Sequence, residues 1–175
     1  MHALYLPGNS PENREPTYEL ASAMSGFESS TVIEYPHWPD QGILNIDRAA
    51  DALAETFAKR GGDFTVIAKS IGVNLCLRAQ TISKSFDPAQ VVFIGAPIND
   101  EVRKHNPVGN WLKGYDTPSL WIQQTEDPVM PADELRQFLD ELGVAEMDFV
   151  SIEGSSHGYD PDQVASTVRD RLAIG

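Results

Sequence analysis

Six short runs of aliphatic and β-branched residues recur along the chain, and several of them are continuous rather than alternating. Continuous apolar runs of this length are typical of strands that are buried on both faces of a sheet. We therefore predict a six-stranded, mostly parallel sheet. In chain order the runs read ALYL, STVIEY, FTVIA, QVVFI, SLWIQ and MDFVSI.

Helical patterns lie between these runs. Ala50, Leu53 and Phe57 at helical spacing predict one helix, with a stop at Gly61 and Gly62, and another is predicted over about 131–142, which stops at Gly143. The last helix is predicted to begin at Pro161, with Asp160 as its cap. Because strands and helices alternate, the sequence predicts an α/β fold with three layers and a doubly wound sheet.

We expect one domain over residues 1–175, because no linker or shift in composition divides the chain. Residues 98–117 are too polar and too interrupted for a crossover helix, and they predict a short lid or excursion. Such segments often cover the ligand-binding end of a sheet, so Trp111 and Tyr115 are candidates for a substrate pocket; a surface staple is the alternative. Trp38, in EYPHWPD, is a third candidate, or else an aromatic plug in a stiff loop.

Charge narrows the classes of partner. The chain has 13 Lys and Arg against 26 Asp and Glu, a net charge of −13, which repels phosphate backbones and anionic lipid surfaces. We therefore expect neither nucleic acid nor a membrane as a partner. Without a basic leader or an apolar run of ~18 residues, a cytoplasmic protein is predicted. Cys76 is the single cysteine and is predicted to be a buried structural residue.

One hydroxyl stands between the third apolar run and the helix that follows it. Residues 68–72 read AKSIG, a strand followed by a tight turn and a helix that begins near Ile71. This is the setting of a nucleophile elbow, in which a strained turn tolerates only small residues two positions before and two after the serine. Ala68 and Gly72 meet that requirement, so Ser70 is the candidate nucleophile.

A second segment, GSSHG at residues 154–158, matches G-x-S-x-G more literally. No histidine follows Ser156 to act as its base, and the next helix begins only at Pro161. We therefore interpret this segment as the loop that carries the base His157.

Ser70 has both an acid and a base downstream of it. Asp127 follows the fifth apolar run and His157 follows the sixth. Because the carboxyl ends of parallel strands lie at one edge of a sheet, three strand ends would bring a Ser-His-Asp triad together.

The other ionisable residues indicate no further site. Lys69 is expected to point away from Ser70 and to form an ion pair or lie at the surface. No His or Cys cluster has the spacing of metal ligands, so no metal or cofactor is expected.

Taken together, LPGNS, AKSIG, TEDPVMP and GSSHG resemble the α/β-hydrolase superfamily over nearly the whole chain. The resemblance implies strand order 2-1-3-4-5-6 in a minimal sheet that lacks the first two strands of the larger members. It favours Asp127 as the acid and leaves Asp100 as the alternative.

The resemblance also implies an oxyanion hole and an activity. The backbone N–H groups of Ile71 and Asn9 would form the hole, although this chain has Pro7-Gly8 where members often have His-Gly. The implied activity is that of a serine hydrolase that cleaves a small ester or thioester, or an amide, through an acyl-enzyme. The alternative is a catalytically inactive binding or scaffold protein that keeps the fold.

Overall fold

Six parallel strands form one sheet in the computed structural model, which describes residues 1–57 and 64–172 and, at positions 100 and 101, the backbone alone. Their order is β2-β1-β3-β4-β5-β6, and every pairing is parallel. The predicted strand number and order are confirmed. The strands are β1 His2–Leu6, β2 Ser29–Val32, β3 Phe64–Lys69, β4 Gln90–Ile94, β5 Ser119–Gln124 and β6 Met147–Ile152.

Helices connect the strands on both sides of the sheet. The described residues form α1 Arg14–Ala23, α2 Ile46–Phe57, α3 Ile71–Ile82, α4 Asp100–His105, α5 Val108–Leu112, α6 Ala132–Leu142 and α7 Pro161–Leu172. The predicted end of α6 and start of α7 are confirmed, because Gly143 caps α6 at φ 65° and the Asp160 carboxylate accepts the Gln163 N–H at 2.9 Å at the start of α7. The helix stop predicted at Gly61 and Gly62 lies outside the described residues.

The side chains of each strand alternate between two hydrophobic cores. In β1, Leu4 and Leu6 face the core under α2, α3, α5 and α6, whereas Ala3 and Tyr5 face the core under α1 and α7. The central strands carry apolar residues on both faces because both faces are covered by helices. The result is the predicted three-layer arrangement.

Residues 98–117, predicted as a lid or excursion, form α4 and α5 between β4 and β5. Val108, Trp111 and Leu112 of α5 are buried in the larger core, and α5 packs against α3 and α6. The α5 part of this segment therefore belongs to the helical layer, because its apolar side chains are buried in the core. In the part of the chain that the structure describes, no helix has the length and hydrophobicity needed to cross a membrane.

Gly72→Ala tests the close approach of α3 to β1. A Cβ at position 72 would contact the Leu6 carbonyl oxygen and lie 2.8 Å from its carbon, and backbone atoms cannot move aside cheaply. We expect a loss of about 1–3 kcal/mol in the free energy of unfolding, measured by urea denaturation. Gly109→Ala in α5 is the matched control, because its Cβ would meet nothing closer than 3.9 Å. Equal stability of the two variants would contradict the packing described.

Candidate active site

Ser70 lies on a strained turn between β3 and α3. Its backbone adopts φ 53° and ψ −122°, a conformation that costs a non-glycine residue about 1–3 kcal/mol. The Ser70 N–H donates to the Ile94 carbonyl at 2.9 Å, and the Ser70 carbonyl accepts the Val73 N–H at 2.9 Å. These two bonds hold the turn between β4 and the first turn of α3, and the hydroxyl stands at the end of the strand.

The small residue that a nucleophile elbow would need at position 72 faces β1. The nearest atoms to a Cβ at Gly72 belong to Leu6, which pairs with Ala68 in the sheet register. Because α3 starts against the last residue of β1, the elbow is packed beside the segment that follows β1.

His157 joins Ser70 to Asp127. Its Nε2 lies 2.9 Å from Ser70 Oγ, and its Nδ1 lies 3.0 Å from Asp127 Oδ1 and 2.9 Å from Oδ2. The three side chains come from the segments after β3, β5 and β6. The structure thus brings together the three residues proposed from the sequence, at hydrogen-bonding distances.

These contacts determine the tautomer of a neutral His157. An ionised carboxylate only accepts hydrogen bonds, so Nδ1 must carry the proton that is donated to Asp127. Nε2 is then the acceptor for the Ser70 hydroxyl. An imidazole in this state can take up the serine proton.

Asp127 is fully buried, and several donors converge on its carboxylate. Besides His157, they are the Tyr159 hydroxyl at 2.7 Å, the Val129 N–H at 2.9 Å and the Gln123 amide at a long 3.4 Å. Burial alone would raise the pKa of Asp127, but the hydrogen bonds from His157, Tyr159 and Val129 outweigh it and lower the pKa below its ordinary value. The carboxylate is therefore charged at neutral pH.

Tyr159 is a site residue that the sequence analysis missed. Its hydroxyl donates to Asp127 and accepts the Gln124 N–H at 3.0 Å, so both of its hydrogen-bonding roles are used. Its ring occupies the space beside Gly95, where an added Cβ would lie 2.6 Å from the ring. The signals in the sequence were a tyrosine two residues after the base and a glycine at the end of the fourth strand.

Two glutamines at the end of β5 hold the loops of the site. Gln123 accepts the Ala96 N–H at 2.9 Å and donates to the Met130 carbonyl at 2.6 Å. The Gln124 side chain accepts the Ser156 N–H at 3.0 Å and donates to the Gly158 carbonyl at 2.6 Å. The second motif match is therefore the loop that presents His157, as its lack of a downstream base indicated.

Asn9 anchors the loop after β1 to residues 37–44. Its side-chain oxygen accepts the Leu44 N–H at 2.9 Å, and its amide donates to the Gly42 carbonyl at 3.2 Å. Its own carbonyl accepts from Trp38 Nε1 at 2.9 Å and lies 3.0 Å from His37 Nε2. The Asn9 side chain thus shapes the loop rather than facing a substrate.

An oxyanion hole needs backbone N–H groups that are free to donate, and it was predicted to use those of Ile71 and Asn9. The N–H of Ser70 does not meet this need, because it already donates to the Ile94 carbonyl. Ile71 is the first residue of α3, where an N–H has no acceptor within the helix. Within residues 1–57 and 64–172, neither the Ile71 N–H nor the Asn9 N–H donates a hydrogen bond to a protein acceptor.

The three predicted pocket aromatics are all nearly buried. Trp38 donates to Asn9, Trp111 packs in the core with the Arg78 guanidinium 5.9 Å from its ring, and the Tyr115 hydroxyl donates to Gln80 at 2.9 Å. Their contacts among the described residues brace loops and helices and do not include the triad.

The other ionisable residues considered in the sequence analysis are Lys69, Asp100 and Cys76. Lys69, predicted to form an ion pair or lie at the surface, is partly buried and donates to the Asn13 side chain at 2.7 Å. It forms no ion pair among the described residues, and burial lowers its pKa. The side chain of Asp100 lies outside the described residues. Cys76 is buried, which raises the pKa of its thiol. Across residues 1–57 and 64–172, no group of three or more His, Cys, Asp or Glu side chains could hold a metal ion.

Tyr159→Phe tests the support of Asp127. The variant removes one donor to a buried carboxylate and leaves the Gln124 N–H without its acceptor, so we expect a loss of about 1.5–3 kcal/mol in the free energy of unfolding at pH 7. Tyr18→Phe is the control, since it removes the same atom from a side chain that is 45% exposed. Urea denaturation of both variants measures the difference.

The sign of the pH dependence follows from the lowered pKa. The stability that comes from charged Asp127 is present above the ordinary pKa of ~3.9 and is lost as the pH falls through the lower pKa of the folded state. The difference in free energy of unfolding between wild type and Tyr159→Phe should therefore persist at pH 5–7 and become smaller below about pH 4. A difference that widens in acid would contradict this account of the charged carboxylate.

Comparison with known proteins places this geometry in a known fold. No family model matches the chain, and no curated protein matches it. Among solved structures, the type II thioesterase YbtT of the yersiniabactin NRPS/PKS biosynthetic pathway is 12% identical, with a TM-score of 0.70 over 99% of this chain and 92% of that one.

Two further solved structures are similar at the same level. An esterase domain from a Rhodothermus marinus protein is 14% identical, with a TM-score of 0.70 over 99% of this chain and 88% of that one. Est1E from Butyrivibrio proteoclasticus, with ferulic acid bound, is 12% identical, with a TM-score of 0.77 over 98% of this chain and 88% of that one. The chain therefore has the α/β-hydrolase fold that its motifs predict.

Proposed function

We propose that this protein is a serine hydrolase that cleaves a small ester or thioester through an acyl-enzyme. Ser70 is the nucleophile, His157 the general base and then the general acid, and Asp127 the carboxylate that orients the imidazole. The observation that carries the proposal is the continuous hydrogen-bonded chain from Ser70 Oγ through His157 to a buried, charged Asp127. Taken singly, each of these residues would be an ordinary loop residue.

Acylation follows from this arrangement. His157 Nε2 takes the proton of the Ser70 hydroxyl as Oγ attacks the carbonyl carbon of the substrate. The imidazolium that forms is stabilised by Asp127, which keeps its negative charge. The tetrahedral intermediate then expels the alcohol or thiol, which receives the proton from His157, and the acyl group remains on Ser70.

The negative oxygen of the intermediate needs donors that are already oriented. We assign this role to the N–H groups of Ile71 and Asn9, because the first begins α3 beside the nucleophile and the second lies on the loop after β1, next to the elbow. Loss of one such donor typically costs ~2.7–4 kcal/mol in activation free energy. The bonds from Asn9 to residues 37–44 are thus part of the catalytic arrangement, because they hold that loop.

Deacylation uses the same groups in reverse. A water molecule attacks the acyl carbon while His157 removes its proton, and the second intermediate collapses with return of that proton to Ser70 Oγ. The products are a carboxylic acid and free enzyme. The names of the similar structures, thioesterases and esterases, support esters and thioesters ahead of amides.

Labelling with a fluorophosphonate tests the nucleophile. We expect wild type to be modified at Ser70, located by peptide mass spectrometry, and Ser70→Ala to be unlabelled and to lose turnover of short p-nitrophenyl esters. Ser156→Ala is the matched control, because it alters the more literal motif match and should still be labelled at Ser70. A folded wild-type protein that stays unlabelled, or ester turnover that survives in Ser70→Ala, would favour a binding or scaffold role.

The identity of the acid is tested by two matched substitutions. Asp127→Asn removes the charge that orients His157 and stabilises its imidazolium, and we expect kcat to fall roughly 10⁴-fold at neutral pH. Asp100→Asn makes the same chemical change at the rival position and should leave kcat within a few-fold of wild type. Steady-state kinetics of both variants on one ester decide between them, and the reverse ranking would assign the acid to Asp100.

A further inference from the structure

A cavity of about 510 Å³ lies between α2 and the segment that follows β2. This volume is within the range of small-molecule sites, roughly 300–1,000 Å³. Leu53, Phe57 and Leu75 are buried and form its apolar base. None of Ser70, Asp127 and His157 lines it, so it is distinct from the triad.

The opening of the cavity combines an apolar and a cationic side chain. Ile43 lines it yet is 87% exposed, an unfavourable position for a large aliphatic side chain unless something covers it. Arg48 also lines it and is exposed, and within the described residues its guanidinium forms no ion pair. In a chain with a net charge of −13, an arginine that has no ion pair among the described residues and lies at an apolar cavity is a local site for an anion.

Three further polar side chains of the wall are already engaged in hydrogen bonds. The Tyr35 hydroxyl donates to the Pro7 carbonyl at 3.0 Å, and the Thr56 hydroxyl donates to the Ala52 carbonyl at 2.7 Å. His37 Nε2 lies 3.0 Å from the Asn9 carbonyl, which can only accept, so this nitrogen donates. The interior therefore interacts with a ligand mainly through hydrophobic contacts, and the charged Arg48 side chain lies at the opening.

We propose that this cavity is a second ligand site, which binds a medium-chain aliphatic carboxylate. The aliphatic tail of the ligand lies over Leu53 and Phe57 and covers Ile43, and its carboxylate forms an ion pair with Arg48. The wall of the cavity is also hydrogen-bonded to the loop after β1, because the Tyr35 hydroxyl donates to the Pro7 carbonyl and the Leu44 N–H donates to the Asn9 side chain. Occupation of the cavity therefore stabilises the conformation of residues 7–9. The proposal does not depend on the activity of Ser70.

Calorimetric titration of octanoate into the full chain carrying Ser70→Ala tests the proposal without turnover. We expect saturable binding of one octanoate per chain, and weaker binding of 1-octanol by about fivefold, the size of one exposed ion pair. Equal affinity for octanoate and 1-octanol would overturn the assignment to a carboxylate. Absence of octanoate binding would overturn the site itself, and neither result bears on fluorophosphonate labelling of wild type.

Two substitutions on α2 locate the ligand. Ala52→Trp, at an exposed position that lines the cavity, places an indole in the space and should weaken octanoate binding by at least about tenfold. Arg48→Gln should weaken octanoate about fivefold and leave 1-octanol unchanged. Lys84→Gln removes the same charge outside the cavity and should change neither.

Thermal unfolding checks that each variant is folded, and the two substitutions are independent of each other. Octanoate affinity that is unchanged in folded Ala52→Trp would place the ligand elsewhere. An unchanged affinity in Arg48→Gln would overturn the proposed role of the guanidinium.

Discussion

The carboxylate of Asp127 is fully buried, and an isolated charge in that position would be unstable. It persists because the Val129 N–H donates to it from its own loop and His157 and Tyr159 donate to it from the loop before α7. Each donor also depends on the acceptor, because without the carboxylate His157 would lose its orientation and the Tyr159 hydroxyl would lose its strongest partner. The end of β5 and the loop before α7 are thereby held in one arrangement, and the imidazole is directed at Ser70.

The sheet topology explains why residues so far apart in sequence could be proposed as neighbours. Ser70, Asp127 and His157 each follow a strand, and parallel strands end at a common edge. The apolar runs were long enough to predict those strands, and the order of nucleophile, acid and base then excluded Ser156. The fold and the meeting of these three residues were therefore accessible from the sequence, because they depend on periodicity, strand direction and chain order.

The groups that support the site were less accessible. The role of Tyr159 depends on ring placement beside Gly95, and the role of Gln124 depends on which way an amide points, neither of which has a periodic signature. Trp111 and Tyr115 were expected near a substrate because their segment was predicted to cover the ligand-binding end of the sheet, yet both side chains are packed in the larger core. Lys69 donates a hydrogen bond to the Asn13 side chain rather than to a carboxylate. These side-chain placements share a cause, since tertiary packing and not local pattern chooses the partner of a side chain.

The loop after β1 connects the two parts of the molecule to which ligands are assigned. Asn9 is tied by four hydrogen-bonding contacts to residues 37–44, which also contribute to the wall of the cavity. The backbone of the same loop adjoins the elbow through the β1–β3 pairing. One short segment therefore bears on both the proposed oxyanion hole and the proposed carboxylate site.

The central claim is that the imidazole of His157 bridges an alcohol and a buried anion, and nitrogen-15 NMR of histidine-labelled protein tests it most directly. For the neutral ring, the account predicts that His157 carries its proton on Nδ1, with an unprotonated Nε2 directed at Ser70. A neutral His157 protonated on Nε2 would contradict it, because that ring could neither donate to Asp127 nor accept the proton of Ser70.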